Sequence, residues 1–263
     1  MDPPPSPEMK STVLYPNQKG FHYSLRESYE DVWLQNLESC VANSMTHMLT
    51  ILHRKASGNN NLRLSPNAIL RIITPNGIDV VDAANIAKSG GLEEHEEGQP
   101  IYEKVENFQY KDSTRYRLKD FKFVSGHYNV VCKLAENFGP GGRRYPLIGY
   151  YHPMGSFAQT VVASETSMQN PYRWGAFNSP DDTRLRKLQN ESDIVSTKVL
   201  DHARLITGLY TMADNPKVKD FSVEVKNYSL GPKWATSAYA WVTPDVFNFI
   251  GVPEMEDDNM IFD

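Results

Sequence analysis

Apolar residues change rhythm partway along this chain, and that change limits the fold more than any other feature. In the first half they recur at helical spacing. From Cys40 to about Lys55, Val41, Met45, Met48, Leu49 and Leu52 mark one face, with Asn43, Thr46, Thr50 and Arg54 elsewhere on the surface. Ser39 stands where a helix cap belongs. LSPNAILRI opens a second short helix, Pro75–Gly77 reads as a turn, and Val81–Lys88 is helical up to Gly90-Gly91. HYNVVCKLAENF is again helically periodic. From Tyr145 onward the runs are short and β-rich: Tyr145–Tyr151, Ala203–Tyr210, Phe221–Tyr228 and Ala238–Val242, each bounded by turn residues. Helices followed by strands predict an α+β protein with a cleft where the halves meet. The stretch from Ser164 to Lys198 is polar and carries no pattern.

The chain ends read as arms. Residues 1–18 are Pro-rich and polar, and residues 254–263 form an acidic tail with Met260, Ile261 and Phe262 at its tip. Residues 19–253 are left as the folded body. Apolar residues make up 40% and charged residues 22% of the 263, the balance of a globular protein. The net charge of -5 and the lack of any basic stripe beyond Arg143-Arg144 argue against a nucleic-acid partner. No apolar run approaches the roughly 18 residues of a spanning helix, and MDPPPSPEMK lacks the layout of a secretory signal. The expectation is a cytoplasmic protein without a membrane partner, with both cysteines, Cys40 and Cys132, reduced.

Two features carry chemistry. A thiol attacks a carbonyl as the thiolate, which a helix N-terminus and a nearby histidine both favour. Cys40 stands at a predicted helix start, whereas Cys132 sits inside an apolar segment as a core thiol would. Of seven histidines, His47 and His53 fall on the Cys40 helix and point to core edge or solvent, and His95 is enclosed by glutamates. His22, His127 and His152 have no motif around them. His202, in LDHARLITGLY, enters an apolar strand, a rigid element suited to holding a catalytic ring. No histidine pairs with the cysteines at zinc-ligand spacing, so no metal or cofactor is expected.

The run ESCVANSM resembles the nucleophile segment of papain-like cysteine peptidases. YSLRESYEDVWLQNLESCVANSM is similar to their propeptide-free bacterial and viral members, among them those like bleomycin hydrolase. LSPNAIL resembles the family's second helix, NGIDVVDA its substrate-backbone loop, and LAENFGP the helix closing in Gly-Pro before its second lobe. Asp201-His202-Ala203 and VKNYSLGPKWATSAYAWV resemble its histidine and asparagine-tryptophan signatures. The resemblance runs in order from about Tyr23 to Phe247. It implies a papain-like two-lobe fold, with lobes of about residues 19–138 and 139–253, a catalytic triad of Cys40, His202 and Asn227, and Gln35 as an oxyanion donor. It also implies substrate contacts at Gly77, Ile78, Asp201 and Trp234, with a peptide or protein as substrate and a virus-associated source.

The pattern departs from the family in several places. Gln35 is one residue closer to the cysteine, Glu38 stands where glycine is common, and Val41 replaces a tryptophan. Ile78 replaces a glycine and should narrow the cleft, and Tyr228–Leu230 take the place of Ser-Trp with one residue inserted. Two readings therefore stay open: a hydrolase of peptide or isopeptide bonds, and a catalytically weak papain-like fold used for binding. For control of a peptidase, residues 1–18 are expected to lie across or beside the cleft.

Overall fold

The computed structural model describes residues 13–26, 39–75, 77–96, 109–111, 114–151, 166–172, 202–226 and 238–256. Its central element is the 18-residue helix Cys40–Ser57 (α1), which ends where Gly58 turns left-handed at φ 69°. Every residue from Cys40 to Leu52 is buried. Asn43, Thr46 and Thr50, expected on the surface, are inside because both sides of α1 are covered. The strand His202–Thr211 (β6) packs on it, and so does the short helix Val80–Asn85 (α3). Several of the buried polar groups on α1 are bonded: Thr50 Oγ1 donates to the Thr46 carbonyl at 2.8 Å and accepts from the Leu64 N–H at 3.3 Å.

His47, about two turns along α1, is wholly buried, contrary to the expected core edge or solvent. Burial, then the charges of Lys226, Arg54 and Arg63, hold its pKa well below the ordinary value. The native ring is therefore neutral, while the unfolded ring takes up a proton below about pH 6.5. Stability contributed by the neutral ring is present above that pH and falls as pH drops, by about 1.4 kcal/mol per unit. His47→Met is expected to flatten this acid-side slope in urea titrations at pH 7, 6 and 5. An unchanged slope assigns the acid sensitivity elsewhere.

The helix Asn67–Leu70 (α2) follows a polar loop, and α3 starts on Asp79, whose Oδ1 accepts from the Val81 N–H at 2.8 Å. A wider turn over Ile86–Gly90 ends at Gly91, φ 75°. A two-stranded ribbon pairs Leu92–Glu93 (β2) with Arg115–Tyr116 (β3).

The main sheet is antiparallel in every named pairing. In spatial order it runs Asp120–Ser125 (β4), Phe249–Glu254 (β9), Leu147–Tyr151 (β5), β6, Ser222–Lys226 (β7) and Tyr239–Val242 (β8). The strand Phe21–Ser24 (β1) pairs with the last residues of β6. β6 is the hub: its first residues pair with β5, its middle and end with β7, and its end also with β1. Helix His127–Phe138 (α4) packs on β4 and closes at Gly139-Pro140.

The helix-then-strand reading therefore holds with exceptions. β1 and β4 come from the segment assigned to the first lobe, so the main sheet takes strands from before residue 139 as well as after it. β9 was hidden because FIGVPE holds both a glycine and a proline. Gly251 is required there: a Cβ would come within 2.2 Å of the Phe121 ring. The acidic tail also starts later than expected. The Glu254 carbonyl accepts from the Lys119 N–H at 2.9 Å, and Met255 is buried.

Residues 13–18 are not draped toward His202. Val13 bridges to Lys217, Leu14 N–H donates to the Pro216 carbonyl at 2.9 Å, and the Tyr15 hydroxyl donates to the Ala135 carbonyl. These contacts lie by the Thr211 end of a ten-residue strand. At strand rise that end is about 30 Å from His202. For this part of the arm, a place across the cleft is ruled out, because its backbone and Tyr15 are satisfied elsewhere.

Candidate active site

Cys40 is the first helical residue of α1. Its N–H therefore belongs to the first turn, whose donors have no intrahelical acceptor. Ser39 does not cap α1 with its side chain; instead its hydroxyl accepts from Asn43 Nδ2 at 3.2 Å and its carbonyl from Asn43 N–H at 2.9 Å. The start of α1 is thus fixed by Asn43 reaching back, which leaves the thiol's place set by buried packing. Neither Cys40 nor Cys132 is disulfide-bonded.

His202 is the first residue of β6, as its sequence position suggested. Its register partner is Tyr151, and the two rings meet edge to face at 5.7 Å. Tyr151 is held in turn by Phe247, 6.0 Å away. Helix and strand are tied at this level: Ser44, one turn beyond Cys40, donates its hydroxyl to the Ala203 carbonyl at 3.3 Å. Thus α1's first turns lie directly on the beginning of β6.

Gly77 closes a tight loop, exchanging backbone bonds with Thr74 at 3.0 Å each and adopting φ 91°. Here only glycine is at ease. Ile78 is buried in the hydrophobic core, so its side chain is absorbed by packing instead of standing free. The loop reaches the same region as Cys40. Tyr150, buried next to β6, feels both the Cys40 thiol and the Asp79 carboxyl, and burial, above all, pushes its phenol well above the ordinary range. Gln35, Asp201, Asn227 and Trp234 lie outside the described residues, as do Glu38 and Tyr228–Leu230.

Cys132 has a different setting. Half-buried on α4, it has its pKa raised by burial, an effect the Tyr128 hydroxyl's hydrogen bond opposes and Glu136 reinforces. That is poor preparation for a nucleophile.

One charged group near the site went unread in the sequence. Arg204, two residues after His202, is almost wholly inside the protein. Its guanidinium lies 5.0 Å from the centroid of the Tyr151 ring. The signal was available, since an arginine in the alternating run HARLITGLY shares a face with the histidine. Among the described residues no group of three or more His, Cys, Asp or Glu side chains is arranged to hold a metal ion. No helix among them is long and apolar enough to cross a membrane.

A buried helix that begins at a cysteine and docks on a strand that begins at a histidine is the arrangement of a papain-like α+β fold. Solved structures agree. The digestive procathepsin L2 proteinase of Tenebrio molitor larval midgut is 19% identical with a TM-score of 0.57, the similarity covering 92% of this chain and 69% of that one. Procathepsin L 3 from the same midgut is 12% identical with a TM-score of 0.59, over 94% and 75%. The ragweed pollen cysteine protease Amb a 11, in its proform, is 16% identical with a TM-score of 0.54, over 90% and 66%. The fold is papain-like. No family model matches the sequence, and no curated protein does.

Proposed function

We propose that the chain is a cysteine peptidase that hydrolyses peptide or isopeptide bonds with Cys40 as nucleophile and His202 as its base. What supports this most is the seam between α1 and β6, where Ser44, one turn beyond Cys40, bonds to Ala203, the residue after His202. The Cys40 sulfur, as thiolate, attacks the carbonyl carbon, and the C–S bond forms as the carbonyl π electrons move to oxygen. The oxyanion is met by the Cys40 N–H and, by resemblance, by the side-chain amide of Gln35. Collapse expels the amine, which takes its proton from the His202 imidazolium. Water then attacks the thioester with His202 as base, releasing the acid and the thiol. Asn227 is proposed to orient the imidazole as its family counterpart would, with Gly77, Asp201 and Trp234 along the substrate. A reducing compartment such as the cytoplasm, virus-associated or not, suits a chain whose two thiols are not bridged to one another.

A peptide carrying a thiol-reactive electrophile is the direct test. Fast labelling of Cys40, at least about tenfold faster than that of Cys132, is expected from an activated thiol against an ordinary one. Slow and equal labelling of both removes the proposal and leaves a papain-like scaffold used for binding.

A further inference from the structure

Toward the Thr211 end of β6, one face of the sheet gathers three aromatic rings that the peptidase chemistry above leaves unused. They are His22 of β1, Tyr210 of β6 and Trp241 of β8. The register explains how a β8 side chain reaches β1. Tyr210 pairs with His22 on one side and Ser222 on the other, while Trp241 pairs with Glu224, which pairs with Gly208. Gly208 and Ser222 are small, so the indole crosses them to meet both other rings. The ring centroids stand 5.9 Å apart for His22–Tyr210, 5.8 Å for His22–Trp241 and 6.2 Å for Tyr210–Trp241. Their planes are inclined at 78°, 54° and 71° in the same order. Trp241 is buried, Tyr210 half-buried and His22 exposed, and Met212 just beyond the strand is 70% exposed, so the group opens to solvent. Two rings are held from the segment 166–172. The Trp241 N–H donates to the Thr166 hydroxyl at 3.0 Å, and the Gln169 amide donates to the Tyr210 hydroxyl at 3.3 Å. Tyr210 is eight residues beyond His202 on β6, about 26 Å away at strand rise.

We propose that His22, Tyr210 and Trp241 form a binding site for a methylated ammonium group, of the kind found in choline or a trimethylated lysine side chain. The shape of the ligand follows from the angles. A flat sugar or base stacks on ring faces that run parallel to it, and three rings this strongly inclined offer no common plane. Rings so spaced and tilted suit a rounded group about 5 Å from each centroid, inside the ~6 Å over which a ring face attracts a cation. The sign of the ligand agrees with the chain's net charge of -5. The neighbouring Arg26 guanidinium is already matched by Glu224 at 2.9 Å, so it does not oppose a second cation uncompensated. Methylation matters because a bare ammonium demands hydrogen-bond acceptors for its protons, which ring faces do not supply, whereas methyl groups pack on them. The site stands apart from Cys40 and His202 and does not depend on the cleavage reading.

The test is titration of the full chain with choline, followed by NMR at the Trp241 indole N–H, which Trp241→Phe assigns. Choline is expected to move this resonance with a dissociation constant of about 1–10 mM. Dimethylbutanol, the neutral isostere with carbon in place of nitrogen, is expected to bind at least about fivefold more weakly, because it has the shape without the charge. His22→Ala, at an exposed position that the fold tolerates, and Tyr210→Leu are each expected to weaken choline binding at least about threefold. Equal binding of choline and its isostere overturns the proposal and leaves an apolar surface. So does an indole resonance that stays still up to about 100 mM choline. Parental affinity in both folded variants overturns it as well. Should Tyr210→Leu fail to fold, His22→Ala and the isostere decide alone. A second arm compares choline with acetylated trimethyl-lysine amide and with the same compound unmethylated. Tighter binding of trimethyl-lysine assigns the site to a protein side chain, and tighter binding of choline to a small free molecule; either upholds the proposal. Unmethylated lysine that binds as well as the trimethylated form overturns it.

Discussion

Replacing Cys40 with alanine is expected to lower peptide turnover by at least about a thousandfold, and His202→Ala by a similar factor, because residues acting as one unit fail together. In the proposed mechanism the sulfur forms the bond to the substrate carbon, so nothing on α1 can stand in for it. His202 would serve twice, as proton donor to the leaving amine and as base for the water. The double variant should be little worse than either single one. Asn227→Ala is expected to cost less, about ten- to a hundredfold, since an orienting amide takes no part in bond making. The measurement is turnover of a mixed peptide library by chains whose thermal unfolding matches the parent. Cys40→Ala with parental turnover excludes the thiol as nucleophile. A large loss in Cys40→Ala beside none in His202→Ala points to a different base.

The largest stability effect outside the apolar core is expected at Glu224. This carboxylate is buried on β7 and gathers three partners: the Ser24 hydroxyl at 2.6 Å, the Thr207 hydroxyl at 2.9 Å and the Arg26 guanidinium at 2.9 Å. It thereby fastens β1 and β7 to the middle of β6. Glu224→Ala leaves two hydroxyls and a guanidinium without their acceptor, at a cost of about 3 kcal/mol. The value sits at the low end for a buried pair because Arg26 is partly exposed and can be rehydrated. Glu224→Gln keeps an acceptor oxygen for the hydroxyls and is expected to recover about half of the loss. Urea unfolding of the three chains checks this, and equal stability for Glu224→Ala and the parent excludes the network as a fastening.

Much of this arrangement was legible in the residues. The α1 period, the helical run from Val81, the helix ending at Gly139-Pro140 and the strand beginning at His202 are local patterns, and local patterns survive in a sequence. The pairing of α1 with β6 was readable only through family resemblance, since no periodicity says which strand meets which helix. What was misread has a common cause. Asn43, Thr46, Thr50 and His47 look like a solvated face until α1 is known to be covered on both sides. β9 looks like a turn until Gly251 is seen to admit the Phe121 ring. Residues 13–15 look like a loose arm until Pro216, Lys217 and Ala135 are brought near from elsewhere in the chain. Each depends on contacts between distant segments, and neighbouring residues do not encode those.

The same long-range wiring fixes when Cys40 and His202 can come together. The bond from Ser44 to Ala203 spans 159 residues, and the one from Ser24 to Glu224 spans 200. Closing such loops precedes the reward of the contacts they permit, so chains wired this way fold slowly. During synthesis, which adds residues from the N-terminus at about 5–20 per second, α1 emerges well before the strand it docks on. Cys40 therefore waits for roughly ten to thirty seconds without His202 on an unfinished chain. If the proposed peptidase reading holds, activity begins only once β6 has taken its place between β5 and β7, and a chain still being made cannot yet cut itself or its neighbours.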